Sequence, residues 1–148
     1  MKLADYVIPR EKITLPGKKV GGESPYFEVR GLCLDDMTFL VQRHLGPITR
    51  ALKLWQEQRE DVIRTGNLGQ FVMTLAKDFP DLMAEVISAA ADELDEGSTA
   101  TARQLPIATQ IAALTAISRL SMEDAGGLGN LLAEMRQRLE SAAGVVKS

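Results

Sequence analysis

A chain of 148 residues with one cysteine, one histidine and a formal charge of −3 is long enough for one domain that buries a core without disulfides or metals. A single cysteine cannot form an internal bridge, which fits a reducing compartment, and the mildly acidic balance argues against nucleic-acid binding by bulk charge. The opening MKLADYVIPREK lacks the apolar stretch of a secretory signal, and the uncharged run Gln104 to Ser118 is shorter than the roughly 18 residues of a membrane span. The expectation is a soluble, intracellular protein with no membrane or nucleic-acid partner.

Charge is uneven: residues 1–30 carry +2 and residues 31–148 carry −5. Low aromatic content (5%) with Ala, Leu and Ile dominating the apolar set favours packed helices. In chain order, Glu11–Leu15 alternates apolar and polar residues and stops at Pro16-Gly17. Tyr26–Arg30 alternates again, with Phe27 and Val29 on one face, after the loop PGKKVGGESP. These predict a hairpin, which must lean on an apolar surface to be stable.

At GLCLDDM the period changes. Met37, Leu40, Val41, His44, Leu45, Ile48, Leu52 and Trp55 follow helical spacing, with Asp35 or Asp36 as N-cap or first-turn acid and Gly46-Pro47 as a kink or break. A second stripe runs Leu68, Phe71, Val72, Leu75, Phe79 after the turn Gly66-Asn67. A third helix opens at Asp78-Pro80, carries Leu82, Met83, Val86, Ile87, Ala90 and Leu94, and ends at Gly97-Ser98-Thr99. Its end, DELDE, reads as an acidic loop, a disordered or functional insertion.

The fourth helix follows Pro106 with Ile107, Ile111, Leu114, Ile117 and Leu120. Ser121 and Asp124 then form a weak capping box, Gly126-Gly127 a break, and Leu128, Leu131, Leu132, Met135 and Leu139 a last helix. The chain therefore reads as mainly α: a hairpin arm over residues 1–31, a bundle of about five helices over 32–144, and a frayed tail at 145–148.

Candidate chemistry is sparse. One His and one Cys cannot complete a zinc site without carboxylates, and His44 lies too far along the chain from Cys33 for a Cys–His pair through a helix. Adjacent Asp35 and Asp36 diverge by about 100° on a helix, which suits capping better than a shared ion. DELDE lacks the spacing of a calcium loop, and GGLGN is not a phosphate loop. No enzyme, no catalytic residue, no metal and no cofactor is expected. Adaptable Met at 37, 73, 83, 122 and 135 suits either core filling or the binding of apolar segments of another chain.

The order of segments Leu15-Pro16-Gly17, then Phe27-Glu28-Val29-Arg30-Gly31-Leu32 with Leu34-Asp35-Asp36, resembles the opening of phage tail assembly chaperones, also called pre-tape-measure chaperones. There the pattern reads F-x-V-R-G-L-S-L-D-D, with Cys33 standing here for Ser. Phe79-Pro80-Asp81-Leu82 and Leu105-Pro106 with Gln110, Leu114, Ile117 and Leu120 resemble the later helices of that family, so the likeness spans about residues 11–140.

The resemblance implies a non-enzymatic protein of the host cell cytoplasm, from a phage or prophage, that binds the tape measure protein. It keeps that protein soluble until tail tube subunits polymerise around it, and is absent from the mature virion. Tail tube protein and a frameshifted longer form of itself are further implied partners, and a homo-oligomer is compatible with the sequence. The partner-binding candidates are Tyr26, Phe27 and Val29 on the arm and Leu132, Met135 and Leu139 on the last helix. The alternatives are a structural tail or head–tail completion protein of the virion, and an enzyme using Asp35 and Asp36.

Overall fold

The computed structural model describes residues 1–17, 19, 21–121, 137, 138 and 141. Among these, the mainly α architecture with an N-terminal two-stranded hairpin is present: β1 (Arg10–Thr14), β2 (Tyr26–Arg30), then helices α1 (Leu34–Arg43), α2 (Leu45–Thr65), α3 (Leu68–Asp78), α4 (Pro80–Ala90), α5 (Glu96–Gln104) and α6 (Ile107–Ser121). The strands pair antiparallel with Arg10 opposite Arg30 and Ile13 opposite Phe27. Ile13 and Val29 point inward into the same core as the helices, which supplies the apolar support a lone hairpin lacks.

α4 is the centre of the fold. Every residue from Leu82 to Ala90 is buried, the signature of a helix covered all round. Around it pack α1, α3 and α6 with buried Leu40, Phe71, Leu75 and Ile117, and Trp55 of α2 meets Phe71 edge to face at 5.2 Å. Of the methionines singled out above, Met37 and Met83 belong to this core, Met73 is exposed, and Met122 and Met135 lie outside the described residues.

Helix ends follow local chemistry. Gly66 sits in the left-handed region (φ +68°) and closes α2 by donating to Val62, and Asn67 caps α3 by accepting from the Gln70 amide. Pro80 takes the first position of α4, where its missing N–H is no loss.

Several expectations are corrected. The chain breaks between α1 and α2 at His44 (φ −128°, ψ 41°), not at Gly46-Pro47. Pro47 lies in the first turn of α2, where amide groups have no intrahelical acceptor, so it costs no hydrogen bond. The third helix stops at Ala90, leaving Leu94 half-exposed in the connection. Gly97, Ser98 and Thr99 do not end a helix; they form the first turn of α5, capped by Asp95 accepting from the Ser98 amide at 2.8 Å. The acidic stretch is thus a short ordered connection. Ser121 belongs to the end of α6, and its hydroxyl accepts from the Leu32 amide; Asp124, the other half of the expected capping box, lies outside the described residues. Of the expected last helix only residues 137, 138 and 141 are described, and these are helical; the rest lies outside the described residues.

Candidate functional site

The strand-to-helix junction carries the most concentrated chemistry of the described residues. The Arg30 guanidinium donates to Asp36 at 2.6 Å, to Asp92 at 2.7 Å, to the Ala89 carbonyl at 3.1 Å and to the Gly31 carbonyl at 2.9 Å. Arg10, opposite Arg30 in the hairpin, donates to the other Asp92 oxygen at 2.8 Å. One fork therefore ties β2 to α1 and to the end of α4. Asp92 accepts this role in a left-handed conformation (φ 59°), which Asp tolerates better than most residues.

Asp36 is not the N-cap. Cys33 holds that position with extended backbone, and Asp36, three residues on, reaches back to accept from the Cys33 amide at 2.8 Å. Burial works against the Asp36 charge, but the hydrogen bonds from Arg30 and Cys33 outweigh it and hold the carboxyl below the usual range. Hydrogen bonds from Arg30 first and then Arg10 bring Asp92 down to about 2, and those two acids push Arg30 further up. The arrangement fixes charges in place. It does not poise an acid for proton transfer.

The second polar cluster centres on buried Glu85 of α4, which accepts from Arg43 at 2.7 Å and meets His44 Nε2 at 2.6 Å. Burial opposes the Glu85 charge, while Arg43 and His44 together lower its pKa. His44 is thus paired with Glu85 and not with Cys33, which is exposed. Asp35 is exposed beside the paired Asp36, so the two carboxylates do not converge. Among the described residues, no group of three or more His, Cys, Asp or Glu is placed to hold a metal ion, and no helix is long and apolar enough to cross a membrane.

What the described surface offers instead is apolar contact area. Tyr26 is 44% exposed with Lys12 over its ring, and Phe27 is half-buried against the core. Val29 is fully buried, so its side chain has no surface to present to a partner; it docks the hairpin on the helices. Leu132, Met135 and Leu139 lie outside the described residues.

Two features escaped the sequence reading. A slot of about 150 Å³ lies between the hairpin and helices α4 and α5, lined by Leu15, Phe27, Ile87, Ala91, Ala102 and Leu105 and by the polar Ser88, Glu93, Ser98 and Thr101. Its walls come from segments up to 90 residues apart, so no local pattern reveals it. The other is the segment before β1, where Leu3, Tyr6, Val7 and Ile8 are 91%, 51%, 83% and 53% exposed. That cluster was readable as an apolar run.

Fold and surface together define a small helical protein with a rigid ion-paired junction and open apolar features. The family model described as Pre-tape measure protein matches residues 1–148, and the chain belongs to that family. Membership ties it to the tape measure protein and to phage tail assembly. No curated protein and no solved structure matches it.

Proposed function

We propose that this protein is a tail assembly chaperone that shields apolar stripes of the tape measure protein, by binding and without catalysis, until tail tube subunits take its place. The observation that carries this reading is the family match over all 148 residues. Exposed apolar side chains support it: Tyr26 on the hairpin, Leu34 and Leu45 at the starts of α1 and α2, Ile63 near the end of α2 and Met73 within α3. Individually each is ordinary for a soluble surface. Spread over several elements, they suit many weak contacts that together hold a long client and still release it.

On this reading the protein acts in the host cytoplasm and leaves before the particle matures. Co-expression with the tape measure protein of the same phage tests the proposal: the soluble fraction of that protein should rise with this chain present, and equal solubility in its absence would defeat it. Mass spectrometry of purified particles provides the second arm. A stoichiometric amount in the virion would make the protein a structural tail or head–tail completion component.

A further inference from the structure

The slot and the exposed N-terminal segment match each other in shape and chemistry. Because Tyr6, Val7 and Ile8 are solvent-exposed, the slot is not filled by its own chain's segment. An apolar cavity of about 150 Å³ takes a benzene-sized group, and the slot has that volume. Below the roughly 300 Å³ of a small-molecule site, it suits one side chain better than a cofactor.

Its lining includes Glu93 and Thr101, both exposed, and Ser98, so the group it fits best has an apolar ring ending in a donor, as tyrosine does. Glu93 and Lys2 form no ion pair among the described residues, leaving an acid at the slot and a cation on the segment for each other. Asp5 is the one opposing charge on the segment. Tyr6 is extended (φ −71°, ψ 129°), and Pro9 biases Ile8 to the same conformation, so the segment is shaped to lie along a groove.

We infer that the segment Tyr6–Ile8 of one copy docks on a second copy of this chain, with the Tyr6 ring in the slot between the hairpin and α4–α5 and its hydroxyl donating to Glu93. The contact joins two different surfaces, so reciprocal exchange closes a two-fold dimer and one-way exchange runs on to a ring or an open chain. The contact needs no tape measure protein, and its test is therefore separate from that of the chaperone reading.

Sedimentation velocity of the full chain over a concentration series should show reversible association, weakened at least tenfold by Tyr6→Ser and by Thr101→Trp, which fills the slot from its exposed side. Circular dichroism establishes that each variant is folded. In a Cys33→Ser background, mixing an Asp5→Cys chain, which keeps the Tyr6 ring, with a Ser98→Cys chain should give a disulfide between the two. A monomer at every concentration overturns the inference, as does association that both variants leave unchanged. So does an Asp5→Cys/Ser98→Cys double variant that cross-links within one copy at high dilution, because the segment would then serve its own slot.

Discussion

Arg30, the last residue of β2, and Asp36, in the first turn of α1, meet at 2.6 Å across the bend between strand and helix. Their side chains are 11% and 9% exposed, and the same arginine reaches Asp92 sixty-two residues on. Removing the arginine leaves a nearly buried carboxylate without its cation. Arg30→Ala should therefore destabilise the fold by about 2–3 kcal/mol, somewhat less than a fully buried pair because the network opens to solvent at Asp92. Asp36→Asn should also be clearly destabilising, whereas Asp35→Asn should change stability by less than about 0.5 kcal/mol. Urea denaturation curves of the three variants check this. Equal effects at 35 and 36 would mean that both acids act only as helix-start charges.

Gly31 is required by close approach. A Cβ there would lie 2.5 Å from the Leu120 carbonyl oxygen and 2.7 Å from its carbon, backbone atoms of α6 that cannot rotate away. Gly31→Ala should cost about 1–3 kcal/mol, the usual range for overpacking. Thermal unfolding of this variant beside Gly69→Ala, whose Cβ would meet only an Ile111 side chain at 3.9 Å, separates crowding from a general glycine effect.

Cys33 occupies an N-cap with extended backbone (φ −98°, ψ 178°), a position where serine caps well. Cys33→Ser should raise stability by up to about 1 kcal/mol, measured as a higher urea midpoint at unchanged slope. A loss of stability would show that the thiol is held by packing.

Acid should loosen the fold in a defined window. Asp92 falls from an ordinary 3.8 to about 2, and Asp36 and Glu85 are lowered as well. Groups with depressed folded-state values bind more protons when unfolded, so their contribution is fully present above about pH 5 and disappears as pH falls towards 2. Stability should be flat between pH 7 and 5 and drop below pH 4. Asp92→Asn should be less stable at neutral pH and show a shallower drop. Because Asp92 is half-exposed, 0.5 M salt should narrow the gap between the two proteins.

Tyr26 and Val29 are both on β2 but serve different ends. Val29→Ala should cost about 1.5–3 kcal/mol through lost burial. Tyr26→Ser should leave the urea midpoint nearly unchanged while lowering the yield of soluble tape measure protein in co-expression. If Tyr26→Ser leaves that yield intact, the hairpin tip is not a client contact.

Much of this architecture was legible because period and punctuation act locally. Alternation at Tyr26–Arg30 marked β2, the stripe Leu68 to Leu75 marked α3, and Pro80 marked the start of α4. α5 was not legible: EGSTATARQ has only Ala102 buried, and its helix depends on the Asp95 cap and on packing beside α4. His44 hid the α1–α2 break because its side chain continues the apolar stripe while its backbone leaves the helix. The motif FEVRGL-x-LDD pointed to the family by identity alone. Its physical content, Arg30 on Asp36 and Gly31 against Leu120, involves contacts that the residues do not announce.

By itself the sequence determined the hairpin, most of the helices, their order and the family, because hydrophobic period, caps and turn residues act within a few positions. Only the tertiary structure decided which side chains the surface retains: Val29 lost to the core, Tyr26 kept, Asp36 taken by Arg30, and a slot assembled from Leu15, Phe27, Ile87 and Leu105. Burial and ion pairing depend on which distant segments fold against one another, and no local pattern encodes that.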